Sequence, residues 1–105
     1  MYARSTTIIT EPTAVEKGIA FVRDEVLPAI QDMRGCRGLS MLVDREAGRG
    51  ITTTSWESEE AMRATDEVVR PLRERAAAIM GGGAPTVAEW EIVSMHRAHH
   101  AEDGS

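Results

Sequence analysis

Apolar positions along this chain alternate between the two-residue period of a strand and the three-to-four-residue period of a helix. Residues 2–10 are crowded with β-branched side chains (Thr6, Thr7, Ile8, Ile9, Thr10) and predict a first strand. Glu11-Pro12-Thr13 ends it, and Thr13 with Glu16 three positions on has the spacing of a capping box. Val15, Ile19, Val22, Val26, Ile30 and Met33 then recur every three or four residues, the stripe of an amphipathic helix, with a kink expected in its last turn at Pro28. Gly35 closes that helix. Residues 36–44 predict a second strand, 45–50 a hairpin connection carrying Gly48 and Gly50, and 51–57 a third strand.

Ser58 suits an N-cap, and Glu59 and Glu60 lie where a helix dipole favours negative charge. Met62, Thr65, Val69, Leu72 and Ala76 form the inner stripe of a second helix, which Pro71 is expected to break. Gly81-Gly82-Gly83 ends it, residues 86–96 predict a fourth strand, and 98–105 a flexible C-terminal tail. The order β-α-β-β-α-β predicts an α+β, ferredoxin-like plait over residues 1–97: a four-stranded antiparallel sheet with both helices on one face. Val87, Val93 and Met95 alternate with Trp90 and Ile92, so both sides of strand four carry apolar groups. The uncovered sheet face therefore predicts a homodimer.

Charge narrows the partners. Twelve basic against seventeen acidic side chains leave a net charge of −5 on 105 residues, and Lys17 is the only lysine. Such a surface repels a phosphate backbone, and the four scattered aromatic residues form no stacking platform, so nucleic acid is not expected as a partner. No apolar run reaches the roughly 18 residues of a membrane span, and no leader pattern opens the chain, so the expectation is a cytoplasmic protein with no membrane partner. Cys36 is the sole cysteine, which excludes an intrachain disulfide and a cysteine-based zinc site. His96, His99 and His100 read as incidental surface residues, so no metal is expected.

Three stretches carry a family likeness: Trp56-Glu57-Ser58-Glu59-Glu60-Ala61 leaving strand three, Gly35-Cys36-Arg37-Gly38 opening strand two, and Glu89-Trp90-Glu91-Ile92-Val93 in strand four. With these the chain resembles the antibiotic-biosynthesis-monooxygenase-like family of dimeric α/β barrels, along nearly its whole length. The resemblance implies a homodimer joined through the sheet faces. It also implies a function among cofactor-free monooxygenases of aromatic compounds, haem-degrading enzymes and members without known activity. Where the haem-degrading branch carries Asn, Trp and a haem-ligating His, this chain has Thr7, Thr65 and Glu74, which disfavours haem degradation. The quinone-forming branch shares the strand-three Trp but has an Asn where this chain has Thr52.

The expected binding site is a cavity between helices and sheet. Thr7 would bound it on strand one, Val22 and Val26 on helix one, and Thr65 and Val69 on helix two. Arg73 and Trp56 would stand at the rim, offering a charge and a flat surface. Each has a plainer reading: strand threonines satisfying themselves on nearby backbone, Trp56 as a packing anchor, and Arg70, Arg73 and Arg75 as a solvated face. Two functions follow. One is a cofactor-independent monooxygenase of a small, electron-rich, phenol- or quinol-like aromatic, with no cofactor and no assignable catalytic residue. The other is a non-catalytic dimeric small-molecule-binding or regulatory module of the same fold.

Overall fold

The computed structural model describes residues 1–96, so the expected tail at 98–105 and His99 and His100 lie outside the described residues. Strand β1 (Tyr2–Ile9) leads through a 3-10 turn (Pro12–Ala14) into helix α1 (Val15–Phe21). A π-helical turn over Val22–Val26 joins α1 to a short α2 (Leu27–Ile30). Strands β2 (Cys36–Asp44) and β3 (Arg49–Trp56) form the hairpin. Helices α3 (Glu59–Arg63) and α4 (Asp66–Ile79) and strand β4 (Thr86–Glu91) complete the chain. The sheet runs β2-β3-β1-β4 with every neighbouring pair antiparallel, which puts the two threonine-rich strands at its centre. This is the predicted α+β, ferredoxin-like plait.

Several local expectations are corrected. Thr13 caps nothing: α1 starts from Ala14 without a side-chain cap, because the 3-10 turn has already begun at Pro12. Pro28 is preceded by the π turn rather than followed by a kink; a proline supplies no N–H to the turn before it, and the wider i→i+5 geometry absorbs the mismatch. The second helical segment breaks at Ala64–Thr65, not at Pro71, which sits inside α4. There the Thr65 hydroxyl donates to the Met62 carbonyl at 2.7 Å, taking an acceptor that the helix ladder would otherwise use. Strand four is shorter than expected, ending at Glu91, which pairs with Tyr2 at the first position of β1. Ser58 does cap α3, its Oγ accepting from the Ala61 N–H at 3.0 Å.

Both core clusters lie between the helices and one sheet face. At one end Ile30, Trp56 and Met62 are fully buried together; at the other Ile8, Phe21, Ala76, Ala77 and Met80 pack around the α1–α4 contact. Gly18 lets α1 approach α4, since a Cβ there would stand 2.8 Å from the Met80 side chain. Gly48 takes a positive φ of 70° in the β2–β3 turn, where its carbonyl accepts from the Thr10 N–H at 2.7 Å.

Candidate functional site

Between the two core clusters the packing leaves a cavity of about 60 Å³. Its floor is the sheet: Arg4 and Thr6 from β1, Thr52 and Thr54 from β3. Its roof is Val22 and Val26 on the π turn, with Val69 and Arg73 on α4. Val22 and Val26 face the same way because they are four residues apart, as are Val69 and Arg73. Val22 and Val26 thus bring a π turn to the cavity wall, an element frequently found at functional sites.

Of the residues expected at the site, Val22, Val26, Val69 and Arg73 line this cavity. Thr7 does not. It pairs with Ile51 in the register that pairs Thr6 with Thr52, and alternation along β1 turns Thr6 inward and Thr7 to the uncovered face. Thr65 is buried beside the cavity rather than in its wall; its Oγ1 accepts from Arg4 Nη1 at 3.1 Å while donating to Met62. Trp56 is not at a rim but wholly inside, 0% exposed, with its Nε1–H donating to Thr54 Oγ1 at 3.0 Å. The packing-anchor reading of Trp56 describes its surroundings. Arg70 pairs with Asp66 on the helix surface, and Arg75 lies 5.0 Å over the Phe21 ring. Arg73 is half-buried and free of such pairing among the described residues. It also borders an outer groove of about 580 Å³ with Arg70, Glu74, Gly82 and Pro85. Burial, and next the nearby Arg4, push the Arg73 guanidinium below its ordinary pKa, against a smaller opposing pull from Asp66 and Glu74.

Arg4 is the site residue that sequence reasoning missed. It is 4% exposed, in the middle of a four-stranded sheet. Its Nη1 donates to Thr65, its Nη2 donates to the Met62 carbonyl at 3.1 Å, and Asp66 and Glu89 stand 3.7 Å from Nη2. Its Nε is buried and, among the described residues, has no acceptor. The available signal was the alternation Arg4-Thr6-Ile8, which sets a charged side chain in line with an apolar one on a single face.

The chain is 53% identical over all 105 residues to the uncharacterized protein Rv2557 of Mycobacterium tuberculosis (strain ATCC 25618 / H37Rv) and spans 46% of that protein's length. No family model matches the chain. Among solved structures, a monooxygenase from the gene ActVA-Orf6 of Streptomyces coelicolor, in complex with Nanaomycin D, superposes with a TM-score of 0.73 at 18% identity, covering 92% of each chain. A protein described as an antibiotic biosynthesis monooxygenase gives 0.65 at 15% identity, covering 90% of this chain and all of the other. The fold is that of the antibiotic biosynthesis monooxygenases. The heme-degrader MhuD of Mycobacterium tuberculosis, solved with two hemes bound, shares this fold with a TM-score of 0.69 at 19% identity, covering 92% of this chain and 100% of that one. A haem does not fit the residues of the present site. The cavity is far smaller than the macrocycle, and no His, Cys, Met or Tyr side chain lines it to ligate the iron.

Among the described residues no three His, Cys, Asp or Glu side chains gather as a metal site, and no helix is long and apolar enough to cross a membrane. The uncovered sheet face carries exposed Ile9, Leu42 and Trp90, the last 57% exposed with its Nε1–H donating to Ser5 Oγ at 2.9 Å. Trp90 thus stands outside the core of the protomer.

Proposed function

We propose that the protein is a cofactor-independent monooxygenase of a small, electron-rich phenol- or quinol-like aromatic, working as a cytoplasmic homodimer of the 1–97 domain joined through its sheet faces. The observation that carries this reading is the cavity: apolar valines above, threonine hydroxyls below, and the Arg73 guanidinium at its edge, on a fold shared with the ActVA-Orf6 monooxygenase. Oxidation of a phenol to a quinone by dioxygen places one oxygen atom on the ring carbon. The other leaves as water with the two hydrogens that the phenol gives up. Electrons pass most readily from the ionised phenol, so the protein's part is to bind the anion, orient it and keep bulk water away. Arg73 stabilises the phenolate oxygen, and Val22, Val26 and Val69 hold the adjoining ring edge. A cavity of this size admits that oxygen and ring edge, while the rest of the ring lies in the opening. Dimerisation is supported by Ile9, Leu42 and Trp90, which leave an apolar surface on the sheet face that no helix covers.

A second reading, a dimeric binding or regulatory module without catalysis, is favoured by one observation. No Asp, Glu or His lines the cavity to take the phenolic proton. Oxygen uptake over a panel of phenols and quinols separates the two. The monooxygenase reading expects uptake with at least one member, reduced at least tenfold in Arg73→Met. Uptake equal to a protein-free control across the panel leaves the binding module.

A further inference from the structure

We infer that the uncovered sheet face takes a second copy of this chain, with Trp90 of each copy seated on Gly38 of the other about a two-fold axis that runs along the strands. The inference rests on the homodimer of the proposed function and specifies which residues meet in it. Strand registers lay the face out in rows. One row reads Gly38, Ser55, Ala3, Trp90 from β2 across to β4. The middle row is Ser40, Thr53, Ser5 and Ala88, and beyond it lie Leu42, Ile51, Thr7 and Thr86. No side chain in these rows is charged, although 28% of the chain is. Asp44 and Arg49, which follow at one end, stand 3.9 Å apart as a pair. A two-fold axis sets such a face against itself, so a charge near its middle would meet its own sign; a neutral face meets no such opposition.

Gly38 has no task within the protomer that requires a glycine. Its φ is not positive, unlike those of Gly35, Gly48 and Gly81, so the bulge between Cys36 and Gly38 makes no call on glycine's backbone freedom. A Cβ at this position would meet only Ser55 Oγ at 3.7 Å, an ordinary contact, whereas one at Gly18 would stand 2.8 Å from Met80. Glycine inside a strand forgoes packing and costs conformational entropy, and it is characteristic of places where another surface comes close. Trp90 is its counterpart. The indole is 57% exposed yet already fixed by its bond to Ser5 Oγ at 2.9 Å, so little rotamer freedom remains to be lost on association. Because Ser5 lies on the neighbouring strand, that bond holds the ring over the face rather than beyond its β4 edge. A rigid, exposed tryptophan is the kind of side chain on which interfaces centre.

Side-chain size selects the axis. A two-fold axis along the strands, through the middle of the sheet, reverses the strand order and leaves each row facing itself. Trp90 then falls on Gly38, Leu42 on Thr86 and Ile51 on Thr7. The largest side chain meets the residue that has none, and each large aliphatic meets a threonine. An axis across the strands would instead set the first row on the third. Trp90 would then crowd Thr86 while Leu42 left a gap above Gly38, although packed sheets hold a common separation of about 10 Å and close-packed interfaces leave few voids.

The test is sedimentation of the full chain and of Gly38→Leu, together with isotope-filtered NMR of dimers mixed from labelled and unlabelled wild-type chains. Both residues lie on an open face of the isolated protomer. The variant is therefore read in association, and its urea unfolding at concentrations where the protomer prevails is expected to match wild type. Gly38→Leu is expected to weaken association at least tenfold. The mixed dimers are expected to show a cross-copy NOE between the Trp90 indole and the Gly38 Hα protons. A Gly38→Leu dimer as tight as wild type overturns the inference. So does a wild-type dimer without that NOE, or one in which Trp90 reports the Thr86 methyl of the other copy instead. Should Gly38→Leu fail to fold, the wild-type NOE decides alone. The proposals fail separately. A wild type that sediments as the protomer removes the homodimer and the seat together, and oxygen uptake still judges the monooxygenase. A dimer lacking the contact between Trp90 and Gly38 keeps the homodimer and removes the seat.

Discussion

The two faces of the sheet are made from nearly the same residues and behave as different materials. Thr6, Thr52 and Thr54 look toward the helices, and Ser5, Thr7 and Thr53 look away, one residue out of step along the same two central strands. The two tryptophans divide in the same way. Trp56 is enclosed by Ile30 and Met62 under the helices, while Trp90 lies 57% exposed on the uncovered side. Each indole N–H finds a hydroxyl, Thr54 inside and Ser5 outside, so local hydrogen bonding does not distinguish them. What differs is the cover: on one face helices exclude water and turn hydroxyls into a directed cavity wall, and on the other the same hydroxyls face solvent in the protomer.

The sharpest way to break this comparison is to truncate both tryptophans. Trp56→Ala is expected to lose about 3–5 kcal/mol of unfolding free energy, the range for a large buried aromatic, whereas Trp90→Ala is expected to stay within about 0.5 kcal/mol. Urea unfolding of the two variants side by side checks it; similar losses would mean that the faces are energetically alike. Thr65→Val comes next. It removes the acceptor for Arg4 Nη1 and the donor to the Met62 carbonyl, leaving buried groups unmatched. A loss of about 1–3 kcal/mol is expected in the same measurement.

Leu42→Asp places a charge on the uncovered face. Its effect on protomer stability is expected within about 0.5 kcal/mol, because the site is 55% exposed. In sedimentation, however, the variant should shift toward the 11.5 kDa protomer if the sheet faces pair. Wild-type protein that already sediments as the protomer at micromolar concentration would end the dimer proposal.

The smallest effect belongs to the exposed π turn. Arg23 donates two hydrogen bonds to Asp24, chiefly these bonds and then desolvation setting an Asp24 pKa that lies, on balance, below its ordinary value. A carboxyl with a lowered folded pKa contributes stability above its unfolded pKa and loses it as pH falls through the folded one. The pair is adjacent in sequence and open to water, so the contribution is slight. Asp24→Asn is therefore expected to match wild type in unfolding at pH 7. Any difference from wild type should alter only on the acid side of the ordinary carboxylate range.

Most of the architecture was legible because it rests on periodicities that a chain carries locally. The three-and-four spacing from Val15 to Ile30, the Ser58 cap and the glycines at 35 and 48 each state their own structure. The helix break was placed at Pro71 because a proline announces its cost in sequence. The competing event, Thr65 bonding back to Met62, depends on one hydroxyl rotamer and announces nothing.

By itself the sequence determined the element order, the plait that this order implies, and a shared face for Val22 and Val26, since residues four apart on a helix point the same way. Only the tertiary structure decided the phase of β1. Ile8 and Ile9 are adjacent and equally apolar, and Ser5, Thr6 and Thr7 are equally polar, so nothing local selects which of the two alternating sets goes inward. Pairing with β3 under the helices sends Arg4, Thr6 and Ile8 inside, removes Thr7 from the site and buries Arg4 in its floor. A one-residue phase thus decides whether the Arg4 guanidinium lies in water or beneath the helices.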